Sequence, residues 1–396
     1  MSELFQEIVS GCQRYKKDPD FRDYNEQEAI IGMKRYCKSA EKNRNTEQQV
    51  NYSFRNESLK GYSPMEVWCL WNCANRSKDG TVDIDNIGGC AMAHASYRWL
   101  KDKIYYKFDK ELEDGIKAGG ISATEDVPAA LLNRLPYSSF FVETRGGFSD
   151  DELNDKLEEL GASFPKSFKG FFCTVSPRYQ YNERIDALVN TGDKVMDITI
   201  YCIADNGEKA DCTVSMVVPK EESPLTIKEA MISRVNYEPL VQTSYGEQRE
   251  YHEKFSKVAH LYDLALLLDS LQYILYLCAE NNQVKEIPQP KPKVWASKKK
   301  KAAATVKIFS VSEPEEDREP IQKVFPPPIY KGSSSHGSGV PTGKTMPPHT
   351  RRGHWAYRWV GHGSEKELKL RWIRETRVHP ELETPGAVVK VKESTE

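Results

Sequence analysis

KVMDITIYCIAD (Lys194–Asp205) and ADCTVSMVVP (Ala210–Pro219), joined across Asn206–Gly207, form the stretch that decides the fold of this chain. Both runs are rich in β-branched and aromatic residues, and Asn-Gly suits the positive φ angles of a tight hairpin turn. An antiparallel hairpin is predicted from Lys194 to Pro219. Upstream, SSFFVET after Leu135–Pro136 and KGFFCTVS (Lys169–Ser176) read as two further strands, with a short charged helix from Asp150 to Leu160 between them. Downstream, Thr226 to about Val235 and then Glu247–Ala279 read as helices. The second carries Phe255, Val258, Tyr262, Leu266, Ile274 and Leu277 at helical spacing and is expected to pack on the sheet. The fold class expected is α+β, an antiparallel sheet with helices covering one face, over residues 135–280.

The flanks differ in character. Residues 1–134 read as a helical N-terminal region. Ala29, Ile30, Met33, Tyr36 and Cys37 are spaced as on an amphipathic helix, Pro64 suits a first helical position, and a helix is expected from Cys90 to about Lys117. Residues 281–347 read as a flexible linker, with a basic run at Lys298–Lys301, acids at Glu313–Glu319, Pro326–Pro328, and a Ser-rich stretch at Gly332–Gly339. Residues 348–396 read as a basic and aromatic hairpin with its tail.

Composition narrows the function classes. The 396 residues carry a net charge of −2, which argues against a generic polyanion binder, so any attraction to nucleic acid is local. With Gly counted in place of Tyr, about 40% of the chain is apolar, below the ~45–50% of ordinary domains, so part of it is not core. MSELFQEIVSGCQRYKKD lacks the apolar run of a secretory leader, and Leu264–Leu277 is interrupted by Asp269 and Ser270, so neither secretion nor a membrane association is expected. The nine cysteines contain no C-x-x-C pair, and Cys69, Cys73 and Cys90 read better as small buried hydrophobes than as metal ligands. The expectation is a reduced, cytoplasmic chain with no metal, no cofactor and no small-molecule substrate.

The tail is the most informative segment. In PHTRRGHWAYRWVGHGSEKELKLRWIRETRVHPE (Pro348–Glu381), alternation sets Trp355, Tyr357 and Trp359 on one face and His354, Arg358 and Val360 on the other. Leu368, Leu370 and Trp372 alternate likewise with Lys369, Arg371 and Ile373. Joined through Gly361–Gly363, the runs make a hairpin whose aromatic face is expected to dock on the body, since a lone hairpin is marginal in water. From His349 to His379 there are eight Lys or Arg against three Glu, a local charge of +5. Arginines beside exposed aromatics suit single-stranded RNA, and the same surface suits an acidic peptide; alternatively the tryptophans are core and the arginines their solvated rim.

The run His349-Thr-Arg-Arg-Gly-His-Trp355, with Trp359 four residues later and Lys369-Leu-Arg-Trp372 beyond, resembles the C-terminal signature of a family carried by phages, plasmids and other mobile elements. That family is the one of the type V-A anti-CRISPR protein that suppresses production of the Cas12a nuclease. The order of Leu135–Pro136, an aromatic strand, Lys169-Gly-Phe-Phe172, a hairpin and the apolar helix ending Leu275-Tyr-Leu-Cys-Ala-Glu280 is similar to its middle. The resemblance implies a regulator rather than a conventional enzyme. It would engage the nascent polypeptide of a CRISPR nuclease, together with its mRNA or the translating ribosome, and lower the level of both products. The binding residues it implies are His349, Arg351, Arg352, His354, Trp355, Trp359, Arg371 and Trp372. Two readings compete: a general RNA-binding protein of a mobile element without a link to CRISPR, and a nuclease using His354 and Arg352.

Overall fold

The computed structural model describes residues 2–15, 85–119, 124–145, 168–182, 187–203, 209–230, 265–289, 305–314, 349–362 and 366–378, with single positions at 155, 159, 184 and 185. The helices expected around Ala29–Cys37 and after Pro64, most of Asp150–Leu160, and the Asn206–Gly207 turn lie outside these residues.

The centre is a seven-stranded sheet. In chain order its strands are β1 (Ile104–Phe108), β2 (Ser139–Glu143), β3 (Phe168–Asn182), β4 (Ala187–Ile203), β5 (Lys209–Val218), β6 (Gln283–Ile287) and β7 (Lys307–Ser312), arranged β5-β4-β3-β2-β1-β7-β6. The predicted hairpin is β4–β5, in register from Lys194 opposite Val218 to Ile203 opposite Lys209. The β2–β3 and β3–β4 pairs are antiparallel too.

The architecture departs from the expected one in several places. The sheet is mixed, because β1 runs parallel to both β2 and β7. Residues 90–117 are not one helix: α2 (Asp85–Asp102) ends, β1 crosses the sheet, and α3 (Lys110–Ala118) follows. The break is made at Lys103, which takes a left-handed conformation (φ 53°) and donates its N–H to the Trp99 carbonyl at 2.6 Å. This is a C-terminal helix cap normally given to Gly or Asn, so the residue types carry no stop signal. Finally, β6 and β7 lie within the stretch expected to be linker. β7 sits between β1 and β6, and its Ile308 and Val311 are buried.

The sheet is also covered on both faces. One face carries Ile104, Tyr106, Phe140, Phe171, Ile198 and Met216, packed under α3 and under the helix at 265–278 (α4). The opposite face presents Tyr105, Phe141, Phe172, Tyr201 and Ile308 to α1 (Glu3–Tyr15) and α2, through Phe5, Ile8, Val9, Met92 and Trp99. The adjacent pairs Tyr105-Tyr106, Phe140-Phe141 and Phe171-Phe172 are buried on both sides, as central strands with two covered faces require.

Candidate functional site

The tail folds as one antiparallel ribbon built from β8 (His349–Arg351), β9 (His354–Val360), β10 (Glu367–Ile373) and β11 (Thr376–Val378). β9 pairs with β10 and β8 with β11. The register stays in phase through the interruption at Arg352–Gly353, since Ile373 faces His354 and Thr376 faces Arg351. Alternation then gives Trp355, Tyr357, Trp359, Leu368, Leu370 and Trp372 a common face.

That face is buried along β10 and at Trp355, and bare on β9 beyond Trp355. Trp355, Leu368, Leu370 and Trp372 belong to the same core cluster as α4. The Trp355 and Trp372 rings lie 4.9 Å apart, and Trp355 is 6.5 Å from Tyr276 of α4, centroid to centroid. Two residues further along β9, Tyr357 is 45% exposed and Trp359 63% exposed. Backbone approach at the base is close: a Cβ on Gly353 would sit 2.6 Å from Trp372 Cζ2, and one on Gly119 2.6 Å from Trp372 Cη2. The glycine in the Arg-Arg-Gly-His-Trp run is thereby explained, because no side chain fits between β8–β9 and the Trp372 ring.

The segment following α4 holds the outer side of β10. Glu280 N–H donates to the Leu370 carbonyl at 2.9 Å. The Asn281 amide donates to the Trp372 carbonyl at 3.0 Å and accepts from the Trp372 N–H at 3.1 Å. Ion pairs join Lys369 to Glu280 at 2.5 Å, Arg374 to the buried Glu313 at 2.6 Å, and Glu367 to Arg134 at 3.3 Å. The Glu280 hydrogen bond and charge raise the Lys369 ammonium above its ordinary range. Lys369 and Arg374 thus serve packing, which reduces the basic charge the tail has to offer.

The residues expected to bind are therefore divided. Arg351, Arg352, Trp359 and Arg371 are exposed, and His354 is half-buried with Nδ1 3.3 Å from the Arg352 carbonyl oxygen. Trp355 and Trp372 are core residues whose rings offer no open face, so a stacking role does not fit them. The His349 side chain lies outside the described residues, although its backbone pairs with Val378. Two exposed residues belong beside Trp359 and were not in the expected set: Tyr357, on the same face, and Arg358, on the other. Alternation assigns both to their faces, but their exposure depends on which strand of the ribbon lies against the body, and β10 does so along its length. Among the described residues there is no group of three or more His, Cys, Asp or Glu able to hold a metal, and no helix long and apolar enough to cross a membrane.

A second polar cluster lies within the body. Glu113 of α3 is buried, and its Oε1 accepts from Tyr273 Oη at 2.9 Å and Arg145 N–H at 2.8 Å, with Lys117 Nζ at 3.0 Å. Asp269, one turn before Tyr273 on α4, is fully buried, and among the described residues neither of its oxygens has a hydrogen-bond partner. Burial, and secondarily the nearby Glu113 charge, push its pKa up to about 7 against the opposing pull of Lys117.

Among known proteins, none of the curated ones matches the chain significantly. The crystal structure of AcrVA2 superposes with a TM-score of 0.41 at 15% identity, over 93% of this chain and 97% of that one. The model of the AcrVA2-like family matches residues 106–380, from within β1 to just past the ribbon. That match covers more than half of the sequence, and the chain belongs to the anti-CRISPR type V subtype A2 family.

Proposed function

We propose that this protein is an anti-CRISPR regulator that recognises the nascent polypeptide of a type V-A nuclease of the Cas12a kind and lowers the nuclease's mRNA and protein in the bacterial cytoplasm. The observation that supports this reading is the family match, which takes in both the sheet and the ribbon. The partners proposed are the nascent chain and its mRNA or the translating ribosome. Coexpression with a type V-A nuclease tests the reading: its protein and transcript are expected to fall together, and equal levels with and without this protein would remove the assignment.

A second reading is favoured by one observation, the exposed Tyr357 and Trp359 rings on one face of the ribbon with the exposed Arg358 and Arg371 on the other. Rings and guanidinium groups of this kind bind single-stranded RNA whatever its source. If RNA binds here, the double variant Arg351→Ala, Arg352→Ala is expected to weaken binding to an oligouridylate and to lower the slope of log affinity against log salt by about 1.4, at ~0.7 for each phosphate no longer neutralised. An unchanged slope would return both arginines to solvation of the ribbon's rim.

A further inference from the structure

The bonds made by β10 fix the direction of the backbone groups on β9. The Leu370 carbonyl and the Trp372 N–H and carbonyl are bonded on the side away from β9, by Glu280 and Asn281. In an antiparallel ladder such residues occupy non-hydrogen-bonded pairs, and both members of each pair turn their N–H and C=O outward. Their partners are Tyr357 and Trp355, and by alternation Trp359 opposite Leu368 follows. The outer edge of β9 thus carries a row of outward-facing N–H and C=O groups, and among the described residues no strand pairs with it.

The two faces of that edge differ chemically. Tyr357 and Trp359 stand exposed on one, and Arg358 with the half-buried His354 stands on the other. We propose that the outer edge of β9 is a strand-addition site for an extended polypeptide in which apolar and acidic residues alternate. The proposal rests on the reading of the protein as one that recognises a polypeptide, and it names the place and the chemistry of that recognition. An added strand lies in the plane of the ribbon and sends side chains to both faces, so its apolar residues meet the two rings while its carboxylates meet Arg358. A nucleic acid lying on one face reaches the rings or the arginine, and leaves the row of backbone groups unused. Charge disfavours a second copy as the occupant, because two β9 edges meeting would bring their arginines together.

The test uses the full chain and a labelled, end-capped peptide of alternating valine and glutamate, matched to the seven residues of β9. Its valine–lysine counterpart and an oligouridylate serve as comparisons. The valine–glutamate probe is expected to bind, the lysine probe not to bind, and Arg358→Glu to weaken binding by about tenfold or more. Arg358 is exposed, so an unchanged thermal melt is expected for that variant and separates a loss of binding from a loss of folding. Two isomers of the probe, N-methylated on the valines or on the glutamates, are expected to bind unequally, since the amides of only one set point at β9. Equal binding of both isomers and the unmethylated probe would overturn strand addition. Binding of the oligouridylate with none of the peptide would make the surface an RNA site and overturn it as well. In cells, Arg358→Glu that still lowers nuclease transcript and protein as the natural chain does would overturn the role of this edge while leaving the regulatory reading in place.

Discussion

Trp372→Ala is expected to destabilise the fold by about 3–5 kcal/mol, the range for truncating a buried aromatic side chain. The ring is 2% exposed, packs against Trp355, and has the backbones of Gly119 and Gly353 closed against it. Collapse around the void is limited, because the Trp372 backbone is fixed to Asn281 through both its N–H and its carbonyl. Trp359→Ala, at the exposed tip of the same face, is expected to change stability by no more than about 0.5 kcal/mol. Urea unfolding of the two variants measures the contrast. Equal costs would contradict the division of this face into a buried part that includes Trp372 and a bare stretch of β9 beyond Trp355.

Asp269→Asn is expected to stabilise the protein at alkaline pH and to have little effect in acid. Asp269 starts from an ordinary carboxylate value of 3.8 and is raised to about 7 by burial in the folded state. Below the lower value both states hold the proton and Asp269 adds no pH dependence. Between the two values only the folded state holds it, so this group makes stability fall as pH rises, and above about 7 the penalty is complete. A shift of roughly three units corresponds to on the order of 4 kcal/mol. Asparagine cannot ionise, so the advantage of the variant should grow from about pH 4 to about pH 8, as read from denaturant midpoints. A constant difference across that range would show that Asp269 is ionised in the folded protein or reaches solvent. Glu113 of α3 is buried as well, but its carboxylate accepts from Tyr273 Oη and the Arg145 N–H and pairs with Lys117. A buried charge with partners is tolerated where one without partners is not.

The legible parts of the fold are those whose signals are local. The β4–β5 pairing follows from two β-rich runs flanking Asn206–Gly207, and the faces of the tail ribbon follow from alternation from Trp355 to Trp359 and Leu368 to Trp372. β1 escapes such reading because Ile104 and Tyr105 continue the spacing of α2 and because Lys103 ends the helix without a glycine. β6 and β7 escape it because each is short and set among Lys, Pro and Glu, while β7 owes its place to the parallel neighbour β1, two hundred residues earlier. Covering of both sheet faces was written in Tyr105-Tyr106, Phe140-Phe141 and Phe171-Phe172, where apolar residues run on without alternating. In the tail, alternation distinguishes one face from the other but carries nothing about where the body ends beneath the ribbon. That boundary makes Trp355 and Trp372 core and leaves Tyr357 and Trp359 in solvent.

The most direct measurement of the regulatory account compares two nuclease transcripts in cells that express this protein. One is translated normally, and the other differs by a stop codon placed just after the start. Recognition of a nascent polypeptide predicts that the translated transcript and its protein fall while the stopped transcript keeps its level. An equal fall of both transcripts, or of neither, would contradict it.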